Sequence, residues 1–121
     1  PGRPIILLHS NLGITFDLRK IRHSLPEGTR ISSFSALCGV GEGPASSKRA
    51  HDYVNFYILV DGQERFRADD MEYQSGLKPI DVNLSDSDRF LTLMTTDGSD
   101  RSVHLDWSFF VQPQLTIESV Q

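Results

Sequence analysis

The residues with the widest chemical scope lie near the C-terminus, in His104-Leu105-Asp106-Trp107. On an extended strand His104, Asp106 and Ser108 share one face, and Val103, Leu105 and Trp107 share the other. An imidazole beside a carboxylate supplies both donors and acceptors, which suits a ligand rich in adjacent hydroxyls. The same alternation packs Trp107, the only tryptophan, against the interior. Turned outward, its ring would offer an aromatic face to such a ligand. Asp97 opens the stretch Asp97-Gly98-Ser99-Asp100, which could present oxygens to a calcium ion. It lacks the alternating acid spacing and terminal Glu of a recognisable calcium loop, so it reads as a turn. His9, His23, His51 and His104 include no i, i+4 pair of the kind that builds a helical zinc site.

Other chemistries find little support. Gly39-Val40-Gly41-Glu42-Gly43 resembles a phosphate loop only superficially, because Pro44 follows and no Gly-Lys-Ser/Thr opens a helix behind it. No Gly-x-Ser-x-Gly elbow occurs. Sixteen acidic residues are enough for a glycosidase pair, yet nothing selects any two of them. Cys38 is the one cysteine, so an intrachain disulfide is excluded, and its place in an alternating apolar run marks a small core residue rather than a nucleophile. Arg19-Lys20-Ile21-Arg22-His23 is the only local basic run and reads as a solvated face.

The elements that must hold these residues are strands. At 121 residues, with 38% apolar and 23% charged side chains, the chain suits one packed domain spanning residues 1–121. A net charge of −4 argues against non-specific nucleic-acid binding. No apolar run reaches the ~18–20 residues of a membrane span. The opening Pro1-Gly2-Arg3-Pro4 carries neither Met nor a signal core, as expected of one module of a longer, processed protein. Alternation of period two is clearest in Tyr53–Val60, and Asp61-Gly62 behind it predicts a tight hairpin with a second arm over 64–68. Residues 14–18, 34–40, 80–84 and 90–95 alternate in the same way, while 18–24 predicts a turn or two of helix. Strands at this spacing predict an all-β jelly-roll sandwich. Loops 41–51, 69–78 and 97–103 at one end are expected to form a shallow site.

Four blocks in order resemble the NPCBM family of carbohydrate-binding modules. They are His9-Ser10-Asn11-Leu12-Gly13-Ile14-Thr15-Phe16-Asp17-Leu18, Phe34-Ser35-Ala36-Leu37-Cys38-Gly39-Val40, Val54-x-Phe56 through Val60-Asp61-Gly62, and a final block from Ile80-Asp81-Val82-Asn83-Leu84 to His104-x-Asp106-Trp107 and Pro113. The chain departs from the family pattern at Val103, where the closing motif carries Asp, and at Asp52-Tyr53, where a Gly-Ser pair is usual. The resemblance implies a galactose-binding-like jelly roll without catalysis, binding carbohydrate and in some members holding a structural calcium. It also implies an extracytoplasmic bacterial parent protein with further domains as partners; the charge balance and the lack of a spanning apolar run leave no nucleic-acid or membrane partner expected. His9, Asp97, His104, Asp106 and Trp107 are the residues expected to meet a sugar. The alternative is a structural or protein-interaction domain that keeps the sandwich and has lost the sugar site, to which the change at Val103 points.

Overall fold

The computed structural model describes residues 5–8, 12–41, 53–97 and 107–120. Eight strands make up most of it: β1 (Ile5–Leu8), β2 (Leu12–Asp17), β3 (Thr29–Gly41), β4 (Val54–Val60), β5 (Gln63–Met71), β6 (Lys78–Asn83), β7 (Phe90–Asp97) and β8 (Trp107–Ser119). They form two four-stranded antiparallel sheets with orders β1-β8-β3-β6 and β2-β7-β4-β5. Consecutive strands cross between the sheets except at the β4–β5 hairpin, which is the double Greek-key order of a jelly roll. The expected fold class is therefore the observed one.

Local chemistry explains each predicted element. In β4 every second residue is buried, with Val54, Phe56, Ile58 and Val60 facing inward. Asp61 (φ 50°) and Gly62 (φ 80°) make the turn into β5, both in the left-handed region this two-residue hairpin requires. The helix α1 (Leu18–His23) begins where Asp17 caps it, its carboxylate accepting from the Arg19 N–H at 3.0 Å and the Lys20 N–H at 3.4 Å. Leu18, where the alternation of 14–18 and the helix expected over 18–24 overlap, opens the helix and is fully buried.

The interior lies between the sheets. Phe34, Ala36, Cys38, Val40, Ile80, Val82 and Phe110 come from one sheet and the inward residues of β4 and β7 from the other. Phe56 and Phe110 meet edge to face across the interface, 5.5 Å between centroids at 86°. Cys38 is part of this core, as its alternation predicted. The face assigned to Ser108 needs correcting. Ser108 and Phe110 are the fully buried residues of β8, so Ser108 lies on the interior face and not on the polar one. The backbone of Trp107 pairs with Gly41, and its side chain lies outside the described residues.

Candidate functional site

Strand register collects one set of strand ends. β1 stops at Leu8 and β8 starts at Trp107, one residue before the Leu8–Ser108 pair. β3 stops at Gly41 opposite Trp107, while β7 stops at Asp97 opposite the start of β4 at Val54. β2 begins at Leu12 opposite Thr95. Met71 pairs with Val54, and Lys78 with Cys38. The segments 9–11, 42–52, 72–77 and 98–106 therefore join strand ends at a single end of the sandwich, here called the loop end. The hairpin Asp61-Gly62, α1 and the 84–89 turn lie at the other.

This arrangement bears on the expected site residues. Asp97 is described: it closes β7 at the loop end and is half-buried. His9, His104 and Asp106 lie outside the described residues, but the strands that flank them, β1, β2, β7 and β8, all meet at this end. The same holds for segments 41–51 and 97–103, apart from Gly41 and Asp97 themselves. The described strands that flank the five expected residues thus terminate at the same end of the sandwich.

Sequence reasoning missed Asn55, which organises the described part of this end. Its side chain has two jobs. Nδ2 donates to the Asp97 carbonyl at 3.4 Å, and Oδ1 accepts from the Asp70 N–H at 2.8 Å. The need for the second bond comes from a β-bulge. Val54 pairs with Met71 but Phe56 with Ala68, so β5 has an extra residue here, and Asp70 sits at φ 50°. The displaced Asp70 N–H finds its acceptor in Asn55 rather than in the ladder. One amide thereby ties the ends of β5 and β7 together and fixes the position of the Asp97 backbone. Nothing in the alternation of β4 announces this role, since Asn55 sits where any outward polar residue fits.

Beside it, the 72–77 connection is built tightly. A single 3-10 turn at Tyr73–Ser75 is closed by Ser75 Oγ accepting from the Glu72 N–H at 3.0 Å. Leu77, half exposed, lies over Gly39, where an added Cβ would come within 2.7 Å of Leu77 Cδ2. Glycine at 39 leaves room for the Leu77 side chain to lie against the strand. Two buried hydroxyls, Thr95 and Ser108, sit in the neighbouring strand ends, and both are engaged in interactions. Among the described residues no group of three or more His, Cys, Asp or Glu is placed to hold a metal ion.

Comparison with known proteins agrees on one architecture. The family model of the NPCBM/NEW2 domain matches residues 11–116. The chain resembles the CBM51 of a Clostridium perfringens GH95 protein, solved in complex with methyl-galactose, with TM-score 0.74 and 20% identity over 93% of this chain and 69% of that one. It also resembles a C. perfringens ZmpB chain containing the M60 catalytic domain with CBM51-1 and CBM51-2, with TM-score 0.71 and 27% identity over 91% of this chain and 10% of that one. A third likeness is to the CBM51-2 and INT domains of ZmpB in complex with GlcNAc, with TM-score 0.71 and 18% identity over 92% of this chain and 21% of that one. The two ZmpB chains are thus several times longer than the part that this chain matches. No curated protein matches the sequence.

Proposed function

The chain belongs to the NPCBM family of carbohydrate-binding modules, and from that premise we propose that it is a non-catalytic sugar-binding module of a larger extracytoplasmic bacterial protein. The carrying observation is the family match together with the convergence of β1–β2, β3–β4 and β7–β8 connections at one end. His9, Asp97, His104 and Asp106 are the proposed contacts. In this role each carboxylate accepts from a sugar hydroxyl, and each imidazole donates to or accepts from its neighbour. Trp107 is proposed to cover an apolar face of the ring. The relatives in complex with methyl-galactose and GlcNAc make a hexose or N-acetylhexosamine the first ligand class to try.

Such sites bind weakly, so the test uses mass action. A thermal-shift panel of mono- and oligosaccharides is expected to raise the melting midpoint for at least one sugar. Ligand at ten times Kd adds about 1.4 kcal/mol, or a few degrees for a domain of this size. The shift should vanish in His104→Ala or Asp106→Asn, with the unliganded midpoint unchanged. If no sugar moves the midpoint at tens of millimolar, with or without a chelator, the domain is an interaction module and the sugar reading is wrong.

A further inference from the structure

A second, chemically different pocket lies at the opposite end of the sandwich, and we infer that it binds the carboxylate-bearing residue of an acidic carbohydrate. Its cavity of about 290 Å³ is lined by Arg19, Arg22 and His23 from α1 and by Asp86, Ser87, Asp88 and Arg89 from the turn before β7. That volume lies just under the ~300–1,000 Å³ usual for ligand pockets and suits nothing larger than one monosaccharide.

The sequence run read as a solvated basic face is assembled into a wall by its helix. Residues 19, 22 and 23 are three and four apart, so one turn brings them to the same side. The turn that faces them is rigid. The Asp88 N–H donates to the Ser85 carbonyl at 3.1 Å, and the Asp88 carboxylate, almost wholly buried, accepts from the Ser85 N–H at 2.8 Å. Arg22 locks helix to turn, donating through Nη1 to the Asp88 carbonyl at 2.5 Å and through Nη2 to the Ser85 carbonyl at 2.8 Å.

The charges are not balanced within this pocket. The Asp88 carboxylate is committed to Arg65 at 3.4 Å, and Arg89 to Asp17 at 3.6 Å. Arg22 is held only by neutral carbonyls, and among the described residues it, Arg19 and His23 face no carboxylate within ion-pair distance. The exposed Arg19 guanidinium and His23 imidazole are therefore the groups open to an anion, with the Arg22 charge fixed behind them. Asp86 and the Ser87 hydroxyl decide which anion. A carboxylate on the wall repels a compact dianion such as phosphate, but it accepts from the hydroxyls of a monoanionic sugar. Mixed lining of this kind matches a sugar acid better than a bare oxyanion.

The test is an amide chemical-shift titration of the whole domain with galacturonate, galactose and inorganic phosphate at matched ionic strength. Galacturonate is expected to move the amides of residues 19–23 and 85–89. The double variant Arg19→Gln with His23→Gln, exposed positions whose side chains bridge nothing among the described residues, should weaken that binding about tenfold or more, the loss expected for charge-assisted hydrogen bonds. Equal response to phosphate would reduce the pocket to a general anion site and overturn the inference, as would equal response to galactose or no response to galacturonate. Galactose shifts at the loop end report on the proposed function separately, so either reading can fail without the other.

Discussion

Single residues carry two claims that a simple assay can check. Cys38 is buried in the sandwich, and desolvation pushes its thiol up to about 11, with Lys78 offsetting only part of the effect. A thiol of that kind presents little thiolate at neutral pH. Native protein should therefore resist a thiol reagent at pH 8 for as long as it stays folded, and react at once in denaturant; rapid labelling of the native state would contradict the core placement. Asn55 makes the complementary case. Replacing it with Ala removes the acceptor that Asn55 offers the Asp70 N–H and its donor to the Asp97 carbonyl, so Asn55→Ala should cost about 0.5–1.5 kcal/mol in urea unfolding and weaken sugar binding with it. Cys38 was legible from its neighbours because burial follows the period-two rhythm. Asn55 was not, because its role arises from a bulge in another strand. Ser108 was misassigned for a related reason: alternation identifies which residues share a face, and a polar side chain next to Trp107 does not reveal which face is interior.

At the scale of elements, the signals that proved readable are those written within a few adjacent residues. The alternation of β4, the Asp61-Gly62 turn and the short helix capped by Asp17 are all of this kind. The second half of β8 is not. Gln112-Pro113-Gln114 breaks the pattern, and Pro113 cannot donate to a ladder. The strand nonetheless continues to Ser119, because a register shift opposite Ser35–Leu37 and a positive φ of 52° at Gln112 form a bulge that takes up the irregularity. The hairpin gives a prediction about pH. The Asp61 carboxylate accepts from the Phe90 N–H at 2.8 Å and from the Arg89 N–H at 3.2 Å, and these bonds hold its pKa below the usual 3.8. A lowered folded-state pKa means that its contribution is complete above the unfolded value and is lost as pH falls through the folded one. Asp61→Asn should thus lower stability at pH 7, and its deficit relative to the parent should shrink by pH 3. A deficit independent of pH would remove the carboxylate from the account. Between the sheets, Phe110→Ala should cost about 3–5 kcal/mol, read from the same unfolding curves, because Phe110 is fully buried against Phe56.

The whole molecule separates stability from recognition. Its core and its hydrogen-bonded turns bind the sheets together, and its edge strands β5 and β6 carry exposed charges such as Glu64, Arg65, Asp69, Lys78 and Asp81, which discourage pairing with another chain. The two proposed sites fall to connections at the two ends, with cationic groups beside α1. The sandwich could be read from the sequence because every strand contributes to it. The candidate site could be read only as residue types, since the strands that flank His9, Asp97, His104 and Asp106 meet at one end through pairings between strands far apart in the chain. The most direct test is an amide chemical-shift titration with methyl-galactoside and N-acetylglucosamine. One of them should move the amides of Leu8, Leu12, Gly41, Asn55, Asp97 and Ser108 in a saturable way while leaving Asp61 and Gly62 still. Saturable shifts confined to the hairpin end, or none at tens of millimolar sugar, would contradict a sugar site on the loop end.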